Sequence, residues 1–553
     1  MNFNPDFDGD GVVSVLDFNT FANLYAAKDL RADINGDGFV DVRDAALFIN
    51  AAAEVNSRSA GFTVRRPSVD SRLVYVDPDS GSDSNDGSAM APVATLAVGV
   101  TKLRNGFPDW LLLKRGTSYD VNQSIHLEFR MGRSPTEPMR VASYGDPQAP
   151  RPRLNVGDGR AAVSINGATN LDVFDLDIMG PESYAPATFG ITGLGVWGVT
   201  IENCRVTRCA NQIAVQADAG QSRSSARIRV RRCVLYGAGS TDGRASAVLF
   251  GGTDDLVIEG TYMISGGRGA GVNGAYASGL SPSVFSHNGY INPENVTNSR
   301  VSGCLIAYGA ANGLRFCGDV CEDNVFFRNP NGIVTETSTR SVCRNFVDGC
   351  IDIGPTTPVG SIGGGVLGRN AHIADNVAVG GGSSGNMSGW TFTGDYGGLV
   401  FERNVVDGWA QAINKDSASL RLNGAPTSPI TVINNTFRQL GGRILDRSGA
   451  SPYARGGELW AGNRYESDDV RGPFMLGVWG YCQAADFNTA VSDSTSVCGP
   501  IRFVDEARRV STYAAGGSEG LLAMCVGQER GKWDPRLDPK AISKWARDGY
   551  APL

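Results

Sequence analysis

Between residues 195 and 465 one short alternation of apolar and polar positions recurs down the chain. An apolar–x–apolar stretch is followed by two polar residues, then Asn or Cys, then two apolar-leaning positions. It is carried by VTIENCRV (199–206), IRVRRCVL (228–235), LVIEGTYM (256–263), SRVSGCLI (299–306), DVCEDNVF (319–326), RSVCRNFV (340–347), AHIADNVA (371–378), LVFERNVV (399–406) and ITVINNTF (430–437). ELWAGNRY (458–465) is a weaker copy. Asn or Cys stands at 204, 233, 304, 324, 345, 376, 404, 435 and 463, with Thr261 in that place between 233 and 304. Most steps are 20 to 31 residues, and the 43-residue step from 261 to 304 predicts a long insertion.

The alternation is that of strands. A repeat of this length marks stacked units that bury their apolar sides only against one another. Several short strands per unit, with no helical periodicity, predict the coils of a parallel β-helix. A leucine-rich horseshoe would instead show Leu at fixed spacing and a helix in each repeat. Asn at a fixed corner predicts a ladder in which each amide bonds its counterparts in neighbouring coils, satisfying turn groups that a closed coil would bury unpaired. Cys204, Cys233 and Cys304 are a smaller, drier version of that corner.

Residues 73–121 carry L-V-Y-V-D-P-D-S-G-S-D-S-N-D-G, P-V-A-T-L and L-L-L-K-R-G-T-S-Y. This stretch resembles the opening segment of right-handed parallel β-helix proteins of the pectate-lyase-like class, where a strand and an Asp/Gly turn lead through a capping helix into the first coils. N-V-F-F-R-N-P-N-G-I (324–333) fits the same class, and the tail from Trp533 to Tyr550 resembles the C-terminal helical segment of bacterial surface members. The resemblance implies a mainly β fold, a right-handed parallel β-helix over 73–470 with a C-terminal cap or tail over 471–553. It leaves activity open, because this architecture hosts lyases, hydrolases, adhesins and phage tailspikes.

The first 45 residues hold a different repeat. D-F-D-G-D-G-V-V-S-V-L-D (6–17) returns 27 residues later as D-I-N-G-D-G-F-V-D-V-R-D (33–44). Each copy puts side-chain oxygens at loop positions 1, 3 and 5: Asp6, Asp8 and Asp10, then Asp33, Asn35 and Asp37. Gly11 and Gly38 make the sharp turn, the carbonyls of Val12 and Phe39 follow, and Asp17 and Asp44 close the loops. That spacing suits a hard cation with six or seven oxygen ligands, so two Ca2+ ions are expected. Asp rather than Glu at the twelfth position, with one helix after each loop (15–27 and 42–53), resembles a paired EF-hand module of dockerin type. The resemblance implies a protein partner for residues 1–56, with 57–72 as a linker: a cohesin-like domain or, in a virion, a tail or baseplate protein.

Composition narrows the classes further. A net charge of −7 and the absence of a basic, aromatic-interleaved tract argue against nucleic acid as a partner. No window approaches 18 consecutive apolar residues, so no membrane span is expected. Gly at 72 of 553 suits many tight turns. The start M-N-F-N-P-D-F-D has neither a basic nor an apolar leader region, which predicts another export route, a trimmed leader or release by lysis. Eleven cysteines is an odd number; Cys317/Cys321 and Cys482/Cys498 stand close enough to bridge, but free core thiols are the expectation.

Three histidines occur: His126, His287 and His372. His287 lies in S-P-S-V-F-S-H-N-G-Y-I-N (281–292), inside the insertion, while His126 and His372 sit in strand-like contexts. In proteins similar to this class, a His-x-x-Tyr here is followed one coil later by Arg in a G-L-R context; those positions are His287, Tyr290 and Arg315. On adjacent coils they would stand about 5 Å apart along the axis. A uronide lyase needs a cation on the sugar carboxylate and a base for the C5 proton, and these residues are of those types. The alternative is that His287 and Tyr290 only shape and pack a long loop. A glycoside hydrolase would need two carboxylates about 5 to 9.5 Å apart. Candidates are Asp175 with Asp177, alternating on one strand face, Asp254 with Asp255, and Asp348 with Asp352. Tyr276, Phe285, Trp390, Trp409 and Trp460 are candidates for stacking on sugar rings or for the core.

Together these features predict a phage tailspike-like virion appendage. It would bind, and in the enzymatic version cut, host surface polysaccharide, with the calcium module for attachment and a homotrimer implied by the resemblance. The alternatives are a secreted or surface-bound bacterial polysaccharide lyase or glycan-binding protein that docks a partner, and a non-enzymatic adhesive stalk.

Overall fold

The structure, a computed structural model, describes residues 15–29, 32, 34, 39–41, 44, 45, 48, 61–280, 283, 285–292, 295–315, 318–334, 339–349, 365, 366, 370–380, 388–393, 395–408, 418–423, 426–440, 442–447, 458–476 and 480–553. Each apolar–x–apolar stretch forms a strand, the chain turns at the Asn/Cys corner, and a strand of three or four residues follows on a second face. A third strand closes the coil. One coil runs Trp197–Glu202, Arg205–Thr207 and Asn211–Gln216; the next runs Ser225–Arg231, Val234–Tyr236 and Ser246–Gly251. The following two are Thr253–Glu259, Tyr262–Ile264 and His287–Ile291, then Arg300–Ser302, Leu305–Ala307 and Asn312–Arg315. Among the described residues, sheets of 15 and 14 strands make two faces, and sheets of eight and six strands share the third. Among the described strands pairing is parallel, except where Phe474–Leu476 meets Gly480–Cys482. The chain is a parallel β-helix, as the repeat predicts.

Coil stacking aligns like with like. Ile201, Val230, Ile258, Val301, Cys321, Val342, Ile373, Phe401, Val432 and Trp460 are successive register partners, all buried. Each aliphatic side chain withdrawn from water in such a row contributes about 1.5–3 kcal/mol. At the corner, Asn324 Nδ2 donates to Asn345 Oδ1 at 2.9 Å, Asn345 to Asn376 at 3.0 Å, Asn376 to Asn404 at 2.9 Å, Asn404 to Asn435 at 3.1 Å and Asn435 to Asn463 at 3.0 Å. Cys204 instead sends its thiol to the carbonyls of Val173 and Glu202. The residue ahead of each corner is left-handed, including Asp323, Arg344, Asp375 and Arg403, at φ 56°, 57°, 57° and 53°. These side chains form ion pairs across coils, Arg344 with Asp323 at 2.9 Å and Arg403 with Asp375 at 2.8 Å.

The ends of the core are closed by short helices. Leu96–Thr101, N-capped by Thr95, buries Leu96 and Val100 at the first coils. At the other end Ala484–Ala490 puts Phe487 against Phe474 (stacked, 4.4 Å) and Trp460 (edge-on, 5.0 Å). The chain then returns along the solenoid. Helix Pro539–Gly549 packs on Val325–Phe327 and Phe346–Asp348, and Arg509 pairs with Asp348 at 2.8 Å. Among the described residues Cys204, Cys209, Cys233, Cys304, Cys321, Cys343, Cys482, Cys498 and Cys525 are free thiols, so Cys482 and Cys498 do not bridge; Cys317 lies outside them.

The chain divides into two compact units: Met1–Ser71 with Gly527–Pro535, and Arg72–Val526 with Arg536–Leu553. The smaller one contains helix Val15–Ala26 and a core of Phe21, Ala32, Ile34, Val40 and Phe48. Phe21 and Phe48 stand at the same distance after the two sequence copies 6–17 and 33–44, and their rings stack at 4.3 Å. Of the expected ligands, Asp6, Asp8, Asp10, Val12, Asp33, Asn35 and Asp37 lie outside the described residues, as does the Asp17 side chain. Phe39 is exposed, and the buried Asp44 carboxylate accepts the amides of Ile34 and Asp41, both at 2.8 Å.

Candidate functional site

The insertion joins Tyr262–Ile264 to His287–Ile291, an interior strand of the eight-stranded sheet. Buried Arg268 braces it, donating from Nη1 to the Gly274 carbonyl at 2.8 Å and from Nε to that of Gly309 at 3.2 Å, with its guanidinium 4.6 Å from the Tyr276 ring centre. Tyr184 Oη accepts the Ala270 amide at 2.9 Å, and Ser286 Oγ donates to the Gly243 carbonyl at 2.8 Å. The loop's last residues thus stand at a set place beside the sheet, with Phe285 59% exposed.

Parallel register then assembles the site from four successive coils. Asn211, Ser246, His287 and Asn312 form one row across the sheet; Leu249, Tyr290 and Arg315 form a second. All of these except Asn312 line, with Arg244, Ala245 and Phe285, one cavity of about 400 Å³. His287, Tyr290 and Arg315, singled out from the sequence, therefore open into the same space. The His287 and Tyr290 rings stack at 5.9 Å, and the Arg315 guanidinium lies 5.7 Å from the Tyr290 ring centre. Tyr290 and Arg315 are half-buried, whereas His287 is only 1% exposed.

His287 is held neutral. Burial, helped by the charge of Arg315, pushes its pKa down to about 3. Asn312 Nδ2 sits 3.0 Å from His287 Nδ1; an amide NH2 only donates, so Nδ1 accepts and the ring proton sits on Nε2. A neutral imidazole of such low basicity is a hydrogen-bond donor at the cavity wall and a poor proton acceptor.

None of the candidate carboxylates among the described residues lines this cavity. Asp175 and Asp177 were expected on one strand face, but strand Thr169–Phe174 ends before a left-handed Asp175 (φ 60°), and Asp177 opens the next strand around the corner. Asp177 is gripped by Arg205 and Arg153 at 2.8 and 2.9 Å; burial opposes its ionisation, yet the two cations hold its carboxyl below the usual range. Asp254 accepts from Thr297 and Asn298, Asp255 from Arg229, and Asp348 from Arg509 and the Val510 amide; Asp352 lies outside the described residues. His126 and His372 face Glu128 and Glu402, at 3.2 and 2.9 Å. Trp390 and Trp460 belong to the core, Tyr276 lies under Arg268, and Trp409 lies outside the described residues. Of the aromatic candidates, Phe285 lines the cavity.

Arg244 and Asn312 escaped notice in the sequence. Arg244 is one of 43 arginines, in a T-D-G-R turn without distinguishing neighbours, and the place of Asn312 beside His287 exists only through coil stacking.

Solved structures of other proteins are similar at low identity. They include a lacto-N-biosidase from Eubacterium ramulus (13% identity, covering 88% of this chain and 74% of that one, TM-score 0.38). The Dettilon tailspike protein is another (12%, 71% and 70%, TM-score 0.35). A third is a mannuronic acid-specific polysaccharide family 6 lyase from human gut microbiota (14%, 78% and 93%, TM-score 0.35). No protein-family model matches the chain, and no curated protein does.

Proposed function

We propose that this β-helix is a tailspike-like virion appendage that binds an acidic host-surface polysaccharide in the cavity of its eight-stranded sheet and cuts it by β-elimination. Arg315 neutralises the sugar carboxylate, which acidifies the C5 proton; Tyr290 Oη takes that proton; and the Nε2–H of neutral His287 donates to a sugar oxygen. The C5 proton moves to Tyr290 Oη as the Oη–H proton passes to the departing O4, the C4–O4 bond breaks, and a 4,5-unsaturated sugar and a new hydroxyl chain end result. The carrying observation is that Tyr290, Arg315 and exposed Phe285 converge on one cavity. The N-terminal loops bind two Ca2+ and attach the chain to a tail or baseplate protein, and the appendage works as a homotrimer on the virion.

The test is incubation with a panel of uronic-acid polymers while following absorbance of the unsaturated product. Product formed by the wild-type chain and lost with Tyr290→Phe supports elimination; no product from any acidic polymer removes it. The equivalence of Phe21 and Phe48 within a small paired unit favours a second reading, a bacterial extracellular or cell-surface glycan-binding protein that docks a cohesin-like partner. Gene neighbours encoding tail proteins, against neighbours encoding sugar transporters, separate the two.

A further inference from the structure

Resting on the glycan reading above, we propose that Arg244 forms a second anion subsite, so that the cavity selects polymers presenting two acidic groups about 10 Å apart, two coil spacings, rather than an isolated one. Arg244 is exposed and lines the cavity that Arg315 also lines. Along the outer faces arginines are neutralised by acids of the same chain: Arg229 by Asp255, Arg231 by Glu202, Arg403 by Asp375 and Arg438 by Asp407. Arg244 has no carboxylate partner among the described residues. The acid nearest in sequence, Asp242, is taken up within the turn, accepting from Ser240 Oγ at 2.6 Å and from the Arg244 amide at 3.0 Å. The guanidinium instead lies 5.7 Å from the Phe285 ring centre.

Arg244 leads into Ser246, the register partner of His287, while Arg315 lies one coil beyond Tyr290. The two cations thus flank the His287 coil, and the exposed Phe285 ring lines the same cavity. A sugar ring resting on Phe285 would place one acidic group at each arginine, each taken by charge-assisted hydrogen bonds.

The test uses full-length protein and polygalacturonate, alginate and hyaluronan, each also with its carboxyls progressively reduced to alcohols. Binding is followed by affinity electrophoresis at low salt. For a bound polymer, wild-type affinity should fall with the square of the remaining acid fraction, since pairs are read. Arg244→Gln should weaken binding ~10- to 100-fold, the range for a lost charge-assisted hydrogen bond, and make the fall linear. Unchanged affinity and unchanged dependence in Arg244→Gln overturn this subsite alone. No binding of any acidic polymer by the wild-type chain overturns the glycan reading with it.

Discussion

Asn312 stands one coil beyond His287 and points its Nδ2 at the imidazole Nδ1, 3.0 Å away. This contact sets the ring's tautomer, and burial keeps the ring uncharged, so the proposed β-elimination should show no histidine titration between pH 5 and 8. In Asn312→Asp the new carboxylate would favour the imidazolium and raise the His287 pKa. The expected result is a new acidic limb in the kcat/KM profile, absent from the wild type.

His287 also makes stability depend on pH in a defined direction. Its pKa is about 3 in the folded chain, against an unfolded value of about 6.5. Between those values the unfolded state binds the extra proton. The contribution is therefore complete above about pH 6.5 and is lost as pH falls toward 3. Urea midpoints measured from pH 7 to pH 4 should decline less steeply in His287→Gln than in the wild type; parallel declines would contradict the buried neutral ring.

If Tyr290 takes the proton and Arg315 stabilises the developing negative charge, their substitutions should differ in kind. Tyr290→Phe keeps the ring stacked on His287 and should lower kcat by about 10²- to 10⁴-fold with little change in KM. Arg315→Ala should reduce kcat about 10²- to 10³-fold and also raise KM, because it holds the carboxylate in ground and transition states alike. Equal, small effects from both would place the chemistry elsewhere.

The corner ladder predicts a graded stability series. Asn345 receives Nδ2 of Asn324 and donates to Asn376 and to the carbonyls of Cys321 and Cys343. Asn345→Ala leaves several buried groups unsatisfied and should cost about 2–4 kcal/mol in denaturant unfolding. Asn345→Cys should cost less, since the thiols at 204, 233 and 304 show that a cysteine in this corner can still donate to main-chain carbonyls.

Calcium should matter locally. The loops at 6–17 and 33–44 gather carboxylates that repel one another without a cation, so chelation should unfold residues 1–55 while the solenoid stays folded. Limited proteolysis with and without chelator checks this, and calorimetric titration should count two ions. A protease pattern indifferent to chelator would argue against the metal.

The coils and their asparagine edge were legible in the chain because they rest on local, repeated rules: alternation over a few residues and one amide returning at each corner. The insertion announced itself as one long step in the spacing. His287, Tyr290 and Arg315 were found through a resemblance, not through spacing, and nothing local showed that His287 would be buried against Asn312. Asp175 and Asp177 looked like neighbours on one strand until the corner between them parted the two carboxylates. Arg244 and Phe285 meet only because stacking sets a turn of one coil beside the end of the next coil's insertion. Periodicity can specify how a coil repeats, since every copy repeats the same short-range preferences. Which side chains of different coils share a cavity, and which charge goes unmatched, follows from register and insertion packing, which arise only when the coils are laid one on another.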